Sequence, residues 1–277
     1  MSISEKELTC FAACLRAGEK SAATIEKYLR EAARFAAWLG GNDLSRESAR
    51  AYKDELAAER APAGVNGAVA ALNSLFDFLE APGCRLKSLR IQRKIFRDEA
   101  RELTQNEYRR LLTAAKYEKN ERLLLVMEAI CATGIRVSEL KFFTVEAVRQ
   151  GLADVTNKGK TRTVFFPGKL WKALLRYARA RRIVSGPVFV TRNGKPLNRS
   201  NIWREMKELC KDAKVAESKV FPHNLRRLFA RVYYGLEKDI VRLADILGHS
   251  SINTTRIYTM ESGETHRRQL EKMRLVL

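Results

Sequence analysis

The chain has 277 residues, 45% hydrophobic and 30% charged, with 52 Lys and Arg against 32 Asp and Glu, a formal net charge of +20. That length and apolar content exclude a disordered chain and allow two domains with separate cores. The charge repels itself in a compact state and points to a polyanionic partner, with a ribosome-associated role or a merely solubilising surface as the plainer alternatives. No apolar run approaches the ~20 residues needed to span a bilayer. The basic excess is uneven, since residues 1–95 carry 15 basic and 12 acidic groups and residues 96–277 carry 37 and 20.

In chain order, the first eighty residues predict helices. Ile25, Tyr28, Leu29, Ala32, Phe35, Ala36 and Leu39 fall at helical spacing ahead of Gly40-Gly41, one apolar stripe and its stop signal. Ser45 is an N-cap candidate for a helix facing inward at Ala49, Tyr52, Leu56 and Ala57. Val65, Val69, Leu72, Leu75, Phe76 and Leu79 define another, stopped by Ala81-Pro82-Gly83. A small helical bundle over 1–83 follows. Cys10 and Cys14, one turn apart, have no matching Cys/His pair to complete a zinc site and are expected in the core. Five cysteines without a C-x-x-C pair, and no signal-peptide pattern, fit a reducing cytoplasm.

From Cys84 to Arg101 helical periodicity stops and Arg85, Lys87, Arg90, Arg93, Lys94 and Arg97 gather. This 84–101 segment is expected to be an interdomain linker that crosses the backbone of a polyanionic partner, with a solvated connector as the alternative. A second domain, 102–277, opens on Thr104 and Glu107 at capping-box spacing, followed by a helix over Glu121–Cys131. Residues 152–156 and 162–166 alternate as strands around the turn Asn157-Lys158-Gly159-Lys160. Pro187-Val188-Phe189-Val190 is a candidate third strand, and the remainder reads as helix.

The chemistry concentrates in short islands. They are Ala132-Thr133-Gly134-Ile135-Arg136-Val137-Ser138-Glu139-Leu140, His223-Asn224-Leu225-Arg226, and Leu247-Gly248-His249 followed by Tyr258. Arginine suits a phosphate because its planar fork binds two oxygens and keeps its charge. Tyrosine suits a nucleophile whose phenolate must later leave again. Each residue also has an ordinary structural use: an Arg136–Glu139 ion pair, a hairpin-turn lysine, helix-start and helix-end histidines, a core tyrosine. His266 lies outside every island and is expected at the surface.

Taken in order, Arg136, Lys158, His223-x-x-Arg226, His249 and Tyr258 resemble the tyrosine recombinase (phage integrase and Xer) family, over roughly residues 130–260. The densest match is Leu247-Gly248-His249-Ser250-Ser251-Ile252-Asn253-Thr254-Thr255-Arg256-Ile257-Tyr258. The resemblance implies a multidomain α and α+β protein. A helical core-binding (SAM-like) bundle would precede a mainly helical catalytic domain with a small antiparallel sheet, the DNA breaking-rejoining fold. It implies Tyr258 as nucleophile, with Arg136, Arg226, His223 and His249 around the scissile phosphate and Glu139 in support. Lys158 would protonate the leaving 5′-oxygen, with Lys160 as its rival. Asn224 and Arg227 depart from the family pattern, which often has an acid and a histidine there.

It further implies a site-specific recombinase working through a 3′-phosphotyrosyl intermediate and a Holliday junction, with no metal or other cofactor. The partners would be double-stranded DNA with inverted-repeat core sites and a tetramer of this chain, in the cytoplasm on the nucleoid. The tail 259–277, apolar at Leu270, Met273, Val276 and Leu277, would dock on a neighbouring protomer or fold back on its own domain. The absence of a clear arm-binding segment favours an Xer-like or integron-like organisation. A type IB topoisomerase, or a DNA-binding protein that keeps the fold without catalysis, are the alternatives.

Overall fold

The structure is a computed structural model describing residues 3–92, 98–157, 159–191, 193–260 and 263–273. It divides into two compact units, residues 1–93 and 94–277.

The first unit holds α1 (Glu5–Ala17), α2 (Ala22–Leu39), α3 (Arg46–Glu59) and α4 (Pro62–Phe78). Ser4, Ser21 and Ser45 accept from backbone N–H groups in the first turns of α1 to α3, satisfying donors that a helix start otherwise orphans. Gly40 ends α2 in the left-handed region at φ 59°. The stripes meet around Phe35, Leu72, Leu75 and Phe76, all fully buried. Ala57 is exposed, one position past the inward face of α3. Cys10 and Cys14 are exposed too, contrary to expectation. The buried stripe of α1 is Phe11, Ala12 and Leu15, which turns both thiols outward.

This unit continues to residue 93, ten residues beyond the expected boundary at 83. The reason lies in two asparagines on α4, two turns apart. The Asn73 side chain exchanges two hydrogen bonds with the Leu86 backbone (2.9 and 2.8 Å), and Asn66 does the same with Leu89 (3.0 and 2.7 Å). Cys84 and Leu86 are buried with them. The first half of the segment expected as linker is therefore pinned to the bundle.

The second unit contains α5 (Gln105–Tyr117), α6 (Glu121–Thr133), a 3-10 turn over Val137–Phe142 and α7 (Val145–Gln150). A hairpin of β1 (Leu152–Asn157) and β2 (Lys160–Phe165) follows. Then come α8 (Gly168–Ala180), α9 (Arg199–Glu208), α10 (Cys210–Ala213), α11 (Pro222–Glu237), α12 (Ile240–Leu247), α13 (Ile252–Thr255) and α14 (Gly263–Met273). The hairpin pairs antiparallel from Leu152 opposite Phe165 to Asn157 opposite Lys160, a two-residue connection. Residues 187–190 form no third strand. They make only isolated bridges, Thr144 to Pro187 and Val190 to Pro196, because prolines stand at both pairing points and supply no N–H. The core runs through α6, where Leu125, Val126, Met127, Ala129 and Ile130 are buried almost around the helix. Among the described residues no helix is long and apolar enough to cross a membrane.

Candidate active site

Three chain reversals in the second unit bring the islands together. Gly134 ends α6 in the left-handed region at φ 66°. A Cβ there would lie 2.4 Å from the Phe229 ring, so both conformation and space require glycine. Gly248 ends α12 at φ 63°, with the His249 N–H donating to the Ala244 carbonyl (3.0 Å) and the Gly248 N–H to that of Asp245 (2.9 Å), a Schellman cap. Pro222 opens α11 with its fixed φ. One turn later Arg226 points into the protein while His223 keeps an exposed edge.

Arg226 ties these reversals together. It is 2% exposed and donates to the carbonyls of Gly134 (2.5 Å) and Leu247 (2.6 Å), with a further contact to His249 Nε2 at 3.1 Å. A guanidinium only donates, so His249 Nε2 must be the acceptor and the ring proton sits on Nδ1. That Nδ1–H reaches Thr255 Oγ1 at 2.8 Å, and Thr255 is fully buried. Tyr258, 5% exposed, packs its ring on His249 with centroids 6.1 Å apart.

Arg136 starts the 3-10 turn. Its Nη1 donates to Glu139 Oε1 (2.9 Å), its backbone N–H to Oε2 (2.8 Å), and its Nη2 reaches the Gly248 carbonyl at 3.4 Å. Glu139 is buried and receives a second guanidinium end-on: Arg162 Nη1 and Nη2 donate to its two oxygens at 3.1 and 2.7 Å. Asn157 Nδ2 approaches the same carboxylate at 3.4 Å.

The electrostatics follow from this packing. Burial alone would push the Glu139 carboxyl up, but hydrogen bonds from Arg162 and the Arg136 backbone, with both positive charges, hold it at about 2. Burial, reinforced by Arg136, pulls Arg226 down to about 10. His249 is lowered to about 4 by desolvation and by Arg226, Arg136 and Arg162. His223 is also lowered to about 4, by the protein wall around it and then by Arg227, Arg226, Arg199 and Arg136. Two guanidiniums, Arg136 and Arg162, therefore share one carboxylate, and a third, Arg226, lies within its electrostatic reach, beside two neutral imidazoles. Among the described residues here positive charge exceeds negative, and a phosphodiester would balance it.

The structure thus gathers Arg136, Glu139, His223, Arg226, His249 and Tyr258 in one place. Lys158 lies outside the described residues. Its rival Lys160 begins β2, exposed, opposite Asn157. Of the basic stretch, Arg85, Lys87 and Arg90 are exposed on the first unit and Arg85 pairs with Asp77, while Arg93, Lys94 and Arg97 lie outside the described residues. Sequence reasoning gave no role to Arg162 or Asn157, whose partner Glu139 lies 23 and 18 residues away, nor to Thr255, whose partner His249 is reached only across the turn that follows Gly248. Asn224 is buried, and its Nδ2 donates to the carbonyls of Arg101 and Lys219, both at 2.8 Å. Two donated bonds to carbonyls are something an ionised acid could not make. Among the described residues no group of three or more His, Cys, Asp or Glu is placed to hold a metal ion.

The phage integrase family model matches residues 101–264. The chain is 29% identical over 276 residues to tyrosine recombinase XerA of Pyrococcus furiosus, covering 96% of this chain and 93% of that one. It is 31% identical over 268 residues to tyrosine recombinase XerA of Thermococcus kodakarensis, covering 93% and 91%. In fold it is similar to a lambda integrase (75–356) dimer bound to a COC′ core site, with TM-score 0.75, 18% identity, and coverage of 95% and 97%. Clustered arginines, histidines and a tyrosine on this helical frame, matched over more than half its length, place the chain in the phage integrase family, the tyrosine recombinases, enzymes of site-specific DNA strand exchange.

Proposed function

We propose that this chain cuts and rejoins duplex DNA at a specific site, with Tyr258 as the nucleophile. The observation that carries the reading is the cationic pocket: buried Arg226 lies within electrostatic reach of both Arg136 and Tyr258, and the carboxylate of Glu139 is shared between Arg136 and Arg162. In this scheme Arg136 and Arg226 hold the non-bridging oxygens and stabilise charge as the phosphorane forms. The Tyr258 oxygen bonds to phosphorus, the bond to the 5′-oxygen breaks, and a hairpin lysine, Lys158, protonates the departing alkoxide. His249 has both ring nitrogens engaged, so the phenolic proton passes to neutral His223. A 5′-hydroxyl from the partner duplex then attacks the 3′-phosphotyrosyl link, giving a Holliday junction. Charge stabilisation comes from guanidiniums, so the scheme calls on neither metal nor ATP.

Exchange between two duplexes needs four cleavages, hence four protomers on inverted-repeat core sites. We assign the contact between them to α14. It buries none of its described side chains and presents Leu270 and Met273 to solvent. The second unit of a neighbouring copy offers an apolar groove of about 1200 Å³ lined by Tyr108, Leu112, Leu124, Ala132, Phe229 and Leu236. Arg85, Lys87 and Arg90, with Arg93, Lys94 and Arg97, are assigned to DNA-backbone contacts, and the enzyme to the cytoplasm, on the nucleoid.

Covalent trapping tests the chemistry. Wild type and Tyr258→Phe would be incubated in EDTA with labelled, nicked duplexes from the DNA flanking the gene, then run on a denaturing gel. A wild-type adduct that Tyr258→Phe lacks is expected. Binding without any adduct from any duplex would favour a DNA-binding protein without catalysis, and relaxation of supercoiled DNA by a monomer would favour a topoisomerase.

A further inference from the structure

Arg162 is 14% exposed in its side chain, and every donor group of its fork is spent inside the protein. Nε donates to the Ile246 carbonyl at 3.0 Å, and Nη1 and Nη2 clasp the two oxygens of Glu139. Its Nη1–Nη2 edge is taken by a carboxylate, whereas Arg136 gives Glu139 a single Nη1 bond and its side chain is 32% exposed. What it joins is informative. It stands on β2, two residues after Lys160 and four after Lys158, and reaches both the carboxylate that orients Arg136 and the last turn of α12 before Gly248. The Gly248 backbone leaves no spare room, because a Cβ there would lie 3.0 Å from Arg162 Cδ. From the other strand Asn157, the residue before Lys158, approaches the same carboxylate.

We propose that Arg162 is a positioning residue: through Glu139 it sets the hairpin that carries the general-acid lysine in register with the arginines that hold the scissile phosphate. The proposal rests on the phosphotyrosyl reading above. A two-residue turn attached only by its ladder can pivot on its own unit, and a proton donor displaced by about 1 Å loses on the order of a hundredfold in rate. Planar bidentate geometry is what fixes the angle, and a lysine cannot reproduce it.

The distinguishing measurement compares two substrates, an ordinary duplex and one with a sulfur replacing the bridging 5′-oxygen. A 5′-thiolate leaves without being protonated, so a defect in general acid delivery vanishes on that substrate, whereas a defect in folding, DNA binding or phosphate clamping persists. Single-turnover adduct formation would be measured at saturating enzyme for wild type, Arg162→Ala, Arg162→Lys, Lys158→Ala, Lys160→Ala and Arg136→Ala. We expect Arg162→Ala and Lys158→Ala to fall roughly a hundredfold on the ordinary duplex and to return within about tenfold of wild type on the sulfur substrate. Arg162→Lys should follow the same pattern, Arg136→Ala should stay slow on both, and Lys160→Ala should stay close to wild type. If Arg162→Ala does not fold by circular dichroism, Arg162→Lys carries the test. Equal losses for the Arg162 variants on both substrates would overturn the positioning role. Wild type failing to form an adduct on either substrate would instead overturn the phosphotyrosyl reading itself.

Discussion

His249 shows how one residue's proton is fixed by what surrounds it. Arg226 occupies Nε2 as a donor and Thr255 takes the Nδ1 proton, so the folded protein has a place for the neutral ring and none for a second proton. Its pKa lies at about 4, lowered by desolvation and three arginines, against an ordinary value of 6.5. Between those values the unfolded chain binds a proton that the native chain refuses. Stability from this group is therefore fully present above pH 6.5 and is lost as pH falls toward 4. His223 acts in the same direction, while Glu139, held at about 2, contributes stability that is fully present above the ordinary carboxylate range and lost only as pH falls from there toward 2. Thermal melts of the DNA-free protein should drop by several degrees, in order of magnitude, from pH 7 to pH 4.5. His249→Asn should melt with a shallower slope over that interval; superimposable slopes would contradict the assignment. A bound phosphate reverses the local balance, so adding cognate DNA should raise both histidine pKa values and draw protons in near pH 5.

At the scale of elements, α14 offers the sharpest test. Its 11 residues span ~16 Å, long enough to lay Leu270 and Met273 into the groove between α5, α6 and α11 of another copy. Deleting residues 263–277 should leave binding of one protomer to one half-site unchanged and abolish cooperative filling of paired sites, together with recombination. Mobility-shift assays and a recombination assay read these separately, and full recombination by the truncated chain would remove the tail from the assembly. The same scale shows what the sequence made legible. α2, with its apolar stripe and terminal Gly40, and α5, with its Thr104–Glu107 capping box, could be read directly because each signal is local. The hairpin was equally plain from its alternation and turn. The pinning of 84–89 was not, since it depends on Asn66 and Asn73 meeting backbone groups 23 and 13 residues away. Cys10 and Cys14 were misplaced because one-turn spacing identifies a shared face without saying which face is buried. Arg136, Arg226, His249 and Tyr258 were legible as a motif, while Arg162 and Thr255 gained meaning only when the loops closed around them.

The whole molecule divides its charge as it divides its cores. Residues 1–93 carry 14 basic and 12 acidic side chains, and residues 94–277 carry 38 and 20. The first unit has its own buried cluster around Phe35, Leu72 and Phe76, the second around α6 and α11, so each can be prepared and measured alone. Each phosphate neutralised releases condensed counterions and contributes about −0.9 to the slope of log K against log salt. A unit of nearly balanced charge can still seat a duplex through hydrogen bonds and shape, but those contacts respond weakly to salt. The fragment 94–277 should therefore reproduce most of the full chain's salt slope, and the fragment 1–93 should show a slope of small magnitude even where it adds affinity. Fluorescence anisotropy on one labelled half-site across a salt series measures both. A steeper slope for 1–93 than for 94–277 would mean that Lys87 and Arg90, exposed on the first unit, rather than the basic excess of the second, dominate the grip on the backbone.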